Sequence, residues 1–186
     1  MSELATFTLV PFEPLPAGVA LSITGTVLRA DDQLSISYLM SGDVGAVALP
    51  PSNTTHERQD RLWEKTCFEF FLTAGAKKTD SDPYWEFNFS PTGAWNVFAL
   101  ESYRQGLSEA TAFTSVPFSV SQSSEGLRLE VSVDLSRLQL SDPQWLLGVS
   151  AVCVLAGGEE TFWAIAHPTP KADFHSPGSF TLQLSP

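Results

Sequence analysis

The chain is poor in positive charge. Its 186 residues hold 10 Lys and Arg against 21 Asp and Glu, a formal net charge of −11. Nucleic acid and anionic membrane surfaces both need a basic patch, so this balance argues against either as a partner. Cysteine is scarce as well: Cys67 and Cys153 are the only two. Two cysteines make no disulfide framework. Both fall inside apparent strands, so free buried thiols in a reducing compartment are expected. No window has the run of apolar residues that a membrane helix needs. The opening MSELATFTLVPFEPLP has neither the basic flank nor the apolar centre of a signal peptide. The expected location is therefore cytoplasmic, and the Asn53-Thr54-Thr55 sequon is read as incidental. A Ser–His–Asp motif, a phosphate loop and a dinucleotide fingerprint are all lacking.

What the chain does hold is aromatic residues and turn formers: 13 Phe, 5 Trp and 13 Pro, with only 17% charged residues. This is the composition of a β-rich domain with many turns. Period-two alternation marks strands at Thr6–Val10, Val19–Ala30, Gln33–Met40 and Leu127–Asp134, with Asp31-Asp32 and Ser41-Gly42-Asp43 as turns. A short strand is expected over Val44–Leu49, and a weakly alternating one over Phe113–Gln122. Trp145–Leu155 is a nearly continuous apolar run, rich in Val, and reads as a central strand. Thr161–Ala166 and Ser179–Leu184 complete the set. Glu101–Ala112 is the one segment with helical character, and Leu135–Leu140 holds at most a helical turn. About ten strands without βαβ alternation, repeat or linker predict a single domain over residues 1–186. Its class is all-β, an antiparallel jelly-roll-like sandwich with one short helix.

The most informative stretch runs from Arg61 to Phe98: RLWEKTCFEFFL, a polar loop, then YWEFNFSPTGAWNVF. Phe68, Phe70 and Leu72 share one face of the first arm, with Cys67, Glu69 and Phe71 on the other. Trp85, Phe87 and Phe89 share one face of the second arm, with Tyr84, Glu86, Asn88 and Ser90 opposite. Each arm thus has an apolar face for a core and a second face that mixes aromatic and polar groups. A merely solvated face would carry Lys, Thr and Ser. The loop Pro50–Leu62, which delivers the chain to Trp63, and the loop Pro168–Gly178 are expected to border that second face.

This stretch, together with the late KADFHSPGSFTLQL, resembles the DOMON-like domains related to family 9 carbohydrate-binding modules. The resemblance covers the chain from about Leu34 onward. It implies a β-sandwich that binds a carbohydrate-like small molecule without catalysis, an aromatic ring stacking on the sugar while carboxylates and amides take its hydroxyls. Trp63 and Glu69 match the Trp and the acidic residue of the pattern, and Asn88 its strand Asn. Glu86 stands where a basic residue is expected. Arg104 is expected to pair with Glu69 or Glu86. Trp163 and His175 complete the expected ligand-binding set. No metal or other cofactor is expected.

Three alternatives follow from the same residues. Haem-binding relatives use an axial Met with His or Lys, which makes Met40, His56, His167 and His175 candidate ligands for haem b. Directly opposed Glu69 and Glu86 would have the carboxyl spacing of a retaining glycosidase. An interaction module without any small-molecule ligand is the third.

Overall fold

A computed structural model describes residues 2–49 and 56–185. The first part of the expected Pro50–Leu62 border, with the Asn53 sequon, lies outside the described residues. Among those described, twelve strands form: β1 (Ser2–Pro11), β2 (Leu21–Ala30), β3 (Gln33–Gly42), β4 (Cys67–Ala74), β5 (Tyr84–Phe89), β6 (Trp95–Leu100), β7 (Ser108–Glu109), β8 (Phe118–Ser123), β9 (Gly126–Asp134), β10 (Trp145–Val154), β11 (Glu160–Ala164) and β12 (Leu182–Leu184). Every pairing between them is antiparallel. One layer has the order β1-β2-β3-β9-β8. The other has the order β7-β6-β5-β4-β10-β11, with β12 alongside β10. The first strand belongs to both layers: Leu9 pairs with Ile23 of β2, while Val10 and Pro11 pair with Ala164 and Trp163 of β11.

The alternation in the sequence becomes the two faces of each layer. From β4 and β5, Phe68, Phe70, Leu72, Phe87 and Phe89 point inward. They meet Ile36, Tyr38 and Met40 of β3 and Leu129 and Val131 of β9 in one core. Phe70 and Phe87 stack with ring centroids 4.3 Å apart. Tyr38 crosses between the layers and donates its hydroxyl to the Glu69 carbonyl at 2.8 Å. Cys67 and Cys153 are buried free thiols. At one end of the core the Arg29 guanidinium lies 3.5 Å over the Trp145 ring and donates to the carbonyls of Pro143 and Leu184. Aromatic π-density and main-chain oxygen thus solvate a buried cation.

Two segments depart from the sequence reading. Glu101–Ala112 is no helix. It is a tight loop in which the Glu101 amide donates to the Gln105 carbonyl, followed by β7. Arg104 (φ 54°) and Gly106 (φ 70°) are both left-handed, which right-handed helix does not tolerate. Val44–Leu49 is a 3-10 turn over Val44–Ala46 and then a single bridge from Val47 to Leu155. Short 3-10 turns also occur at Leu62–Glu64, Leu135–Leu138 and Pro177–Ser179. No helix among the described residues is long and apolar enough to cross a membrane.

Candidate functional site

The residues facing away from the core on β4, β5 and β10 cannot reach solvent freely, because loops cover them. Their floor follows from register. Glu69 of β4 lies between Asn88 of β5 and Ser150 of β10. Glu86 lies opposite Phe71, which makes it a diagonal neighbour of Glu69 rather than its direct partner. Diagonal pairs sit roughly 7 Å apart, within reach of long side chains. All four polar residues are buried: Glu69 is 2%, Glu86 5%, Asn88 0% and Ser150 1% exposed.

The roof is the loop between β11 and β12. It lies close on the sheet because β10 carries Gly148 at the crossing point. A Cβ there would come 3.1 Å from the Ser179 carbonyl oxygen, tighter than side chains normally allow. Asp173 anchors the loop. It accepts from Arg104 Nη2 at 2.7 Å, from the Tyr103 hydroxyl, and from the backbone amide of His175 at 3.1 Å. Phe174 packs against Phe71 and Phe162. Trp63 is delivered by the Leu62–Glu64 turn and packs edge-on against Phe98, 5.6 Å between ring centroids. Floor, roof and flanks enclose a cavity of about 350 Å³, lined among others by Trp63, Glu69, Glu86, Arg104, Phe162, Phe174 and His175. That volume is at the small end of the roughly 300–1,000 Å³ of small-molecule sites.

Burial dominates the electrostatics. The Glu69 carboxyl is pushed well above the ordinary carboxylate range, first by loss of solvation and then by the neighbouring Glu86. Glu86 is pushed up to about 7 by burial, against the opposing pull of the Asn88 hydrogen bond and the Arg104 charge. His175 goes the other way, down to about 4, through burial and the proximity of Arg104. At neutral pH its imidazole is therefore uncharged. The Tyr84 hydroxyl lies 2.8 Å from His175 Nδ1 and accepts the backbone amide of Arg104 at 3.2 Å. Tyr84 is held protonated by its own burial, with a pKa of about 12. With Tyr84 donating to Nδ1, its hydroxyl proton finds an acceptor and His175 carries its own proton on Nε2, 3.9 Å from Glu86 Oε2.

Hydrogen bonding on the floor is incomplete. Asn88 Nδ2 donates to Glu86 Oε1 at 2.7 Å. Glu69 Oε1 and Ser150 Oγ, by contrast, are buried with no partner at hydrogen-bond distance among the described residues, although the Cys67 thiol and the Ser150 hydroxyl lie near enough to the Glu69 carboxyl to offset part of its rise. Groups of this kind are costly unless something meets them.

Of the residues singled out in the sequence, Trp63, Glu69, Glu86, Arg104 and His175 line this one cavity. Asn88 stands behind it as the partner of Glu86. Trp163 does not belong to the set. It is 1% exposed in the core, pairs with the inward Ala151, and donates Nε1 to Thr161 Oγ1 at 2.9 Å. Its neighbour Phe162, opposite Val152, faces the cavity instead. Arg104 differs from expectation in its partner, which is Asp173 rather than either glutamate. Three residues were missed. Tyr84, placed on this face but left out of the ligand-binding set, bonds His175 Nδ1; Phe162 supplies a wall; and Ser150 is the lone hydroxyl within the apolar run of β10, where its polarity was the available signal. The candidate haem ligands are dispersed. Met40 is in the core, His56 packs on Phe118, and His167 Nε2 bonds to the Val10 carbonyl. Only His175 lines the cavity. These residues do not fit a haem between two axial ligands. No group of three His, Cys, Asp or Glu arranged for a metal occurs among the described residues.

The fold is an antiparallel β-sandwich that two solved structures share. A Bacteroides uniformis protein whose assignment as carbohydrate-binding is provisional superposes with a TM-score of 0.67 at 15% identity, over 96% of this chain and 86% of that one. A family 9 carbohydrate-binding module from Caldicellulosiruptor kristjanssonii, solved with cellotriose, superposes with a TM-score of 0.56 at 10% identity, over 98% and 82%. At these identities the likeness is one of fold. No protein-family model matches the chain, and neither does any curated protein.

Proposed function

We propose that the protein binds a carbohydrate-like small molecule, without catalysis, in the cavity over Glu69 and Glu86. The observation that carries this reading is a buried carboxylate oxygen, Glu69 Oε1, left unpartnered in a cavity walled by Trp63, Phe162 and Phe174. Aromatic walls take the C–H face of a sugar ring, and unpaired acceptors take its hydroxyls. The fold likeness to carbohydrate-binding proteins supports the same reading. The electrostatics favour binding over hydrolysis. A retaining glycosidase needs its two carboxyls pushed apart in acidity, one of them ionised as nucleophile. Here burial raises both.

A glycan array followed by calorimetry with the best sugars tests the proposal. Trp63→Ala and Glu69→Gln should each weaken binding by about 1.5–3 kcal/mol while the protein stays folded. Failure of every sugar to bind would leave the interaction-module reading as the better one.

A further inference from the structure

Resting on that reading, we propose that the preferred ligand is a sugar or polyol bearing a protonated primary amine, with the ammonium seated against Glu69 and Glu86. Once ionised, the floor carboxyls give the cavity acceptors in excess of donors. Glu69 Oε1 has no partner, and Glu86 Oε2 has only His175 Nε2 at 3.9 Å, beyond hydrogen-bond distance. An ammonium has three N–H donors and no acceptor, the complement of that arrangement. Trp63, Phe162 and Phe174 present ring faces or edges in the same cavity, and aromatic faces attract cations.

Among the described residues, no side chain supplies this cation. Arg104 is the basic residue lining the cavity, but its guanidinium is paired with Asp173 at 2.7 Å and is half exposed. Lys78 Nζ lies 4.2 Å from the centroid of the Tyr84 ring and donates to the carbonyls of Thr79 and Asp82. Two carboxyls side by side under a roof hold protons until a positive charge arrives. Ser150, directly across from Glu69 on β10, has a hydroxyl free to turn toward that carboxylate once it forms.

The proton balance is explicit. The ligand enters as an ammonium and keeps its three protons. One carboxyl proton from the Glu69–Glu86 pair leaves to the buffer, and an ammonium–carboxylate pair remains beside the second, still protonated carboxyl. The other titratable groups around the pair are Tyr38 of β3 beneath Glu69, Cys67 and Tyr84 on the floor strands, Arg104 from the loop after β6, and Asp173 and His175 from the roof. His175 is already neutral and adds no competing charge at neutral pH.

The test is isothermal calorimetry of the whole protein with glucosamine, N-acetylglucosamine and glucose, plus cyclohexylamine as an amine without hydroxyls. Each is run in two buffers of different ionisation enthalpy. Glucosamine should bind roughly ten- to a hundred-fold tighter than glucose, with release of about one proton. N-acetylation should abolish the advantage. Glucosamine affinity should rise by up to about a hundredfold from about pH 5 to about pH 7, as a carboxyl gives up its proton while the amine keeps its own. Glucose affinity should not change over that range. Glu69→Gln should bring the glucosamine-to-glucose ratio toward one. Equal binding of glucose and glucosamine would overturn the ammonium site and leave sugar binding standing. Cyclohexylamine binding as well as glucosamine would keep the ammonium site and overturn the sugar reading. Binding of none of the four would overturn both.

Discussion

Replacing Glu86 by Gln should make the protein more stable, and only above acidic pH. The carboxyl is 5% exposed and has its proton affinity raised from 4.5 to about 7 by burial. The folded state therefore binds a proton between these values that the unfolded chain has already released. A group of this kind contributes stability that is fully present below pH 4.5 and is lost as pH rises through 7. The full loss is roughly 3 kcal/mol, at about 1.4 kcal/mol for each tenfold change in proton affinity. Glu69, raised still further, acts in the same direction. His175 opposes them: its affinity is lowered from 6.5 to about 4, so its contribution is lost as pH falls through that window. It has no effect on the slope above 6.5. Urea unfolding from about pH 5 to about pH 8 should thus show wild-type stability declining, most clearly above 6.5 where His175 no longer compensates. Gln keeps an acceptor for Asn88 Nδ2, now 2.7 Å from Glu86 Oε1, but does not titrate. Glu86→Gln should match the wild type near pH 5 and exceed it by up to about 3 kcal/mol near pH 8. Parallel curves for the two proteins, or a wild type that gains stability over this range, would refute the assignment of a buried, protonated Glu86.

Phe70→Ala should cost about 3–5 kcal/mol in chemical unfolding, since Phe70 is fully buried and stacks on Phe87. Trp163→Ala should cost a similar amount, whereas Trp63→Ala should change stability by less than about 1.5 kcal/mol and act on ligand affinity instead; the two tryptophans behaving alike would contradict their placement in core and cavity. Asp173→Asn should lower stability by less than about 1 kcal/mol, because its partner Arg104 is half exposed. Hydrogen exchange in residues 168–178 should nonetheless speed up, as the roof loses its anchor to Arg104.

The face carrying the site was legible wherever a strand alternates cleanly between two chemistries. CFEFFL and YWEFNF separate Phe68, Phe70, Phe87 and Phe89 from Glu69 and Glu86 by parity, and a one-residue slip would have buried charge in the core. Legibility failed where both faces are apolar. In TFWA the aromatics are adjacent, and the neighbouring β10 is hydrophobic on both sides. Nothing local assigns Trp163 rather than Phe162 to the cavity; register with Ala151 and Val152 does. The segment Glu101–Ala112 misled for a different reason. Its composition permits helix, but Arg104 takes a left-handed backbone within hydrogen-bonding reach of a residue 69 positions later. That pairing depends on how the loop between β11 and β12 folds back, which no local pattern encodes. Alternation identified the outward carboxylates. The unpartnered oxygen that makes them a site is visible only after β10 is placed beside β4.

The order of the strands also bears on how the chain is made. β10 sits in the middle of its layer, between β4 and β11, yet is synthesised late; β1 closes the sandwich only when residues 163 and 164 reach Val10 and Pro11. On a ribosome, the aromatic face of β4 would emerge some eighty residues before the strand that flanks it, as the registers Phe70 with Val149 and Phe68 with Ala151 require. Non-local closure of this kind makes folding slow and leaves sticky surface waiting. Nascent chains stalled before Trp145 should therefore be the species that chaperones hold, and those carried past Ala164 the first able to shed them.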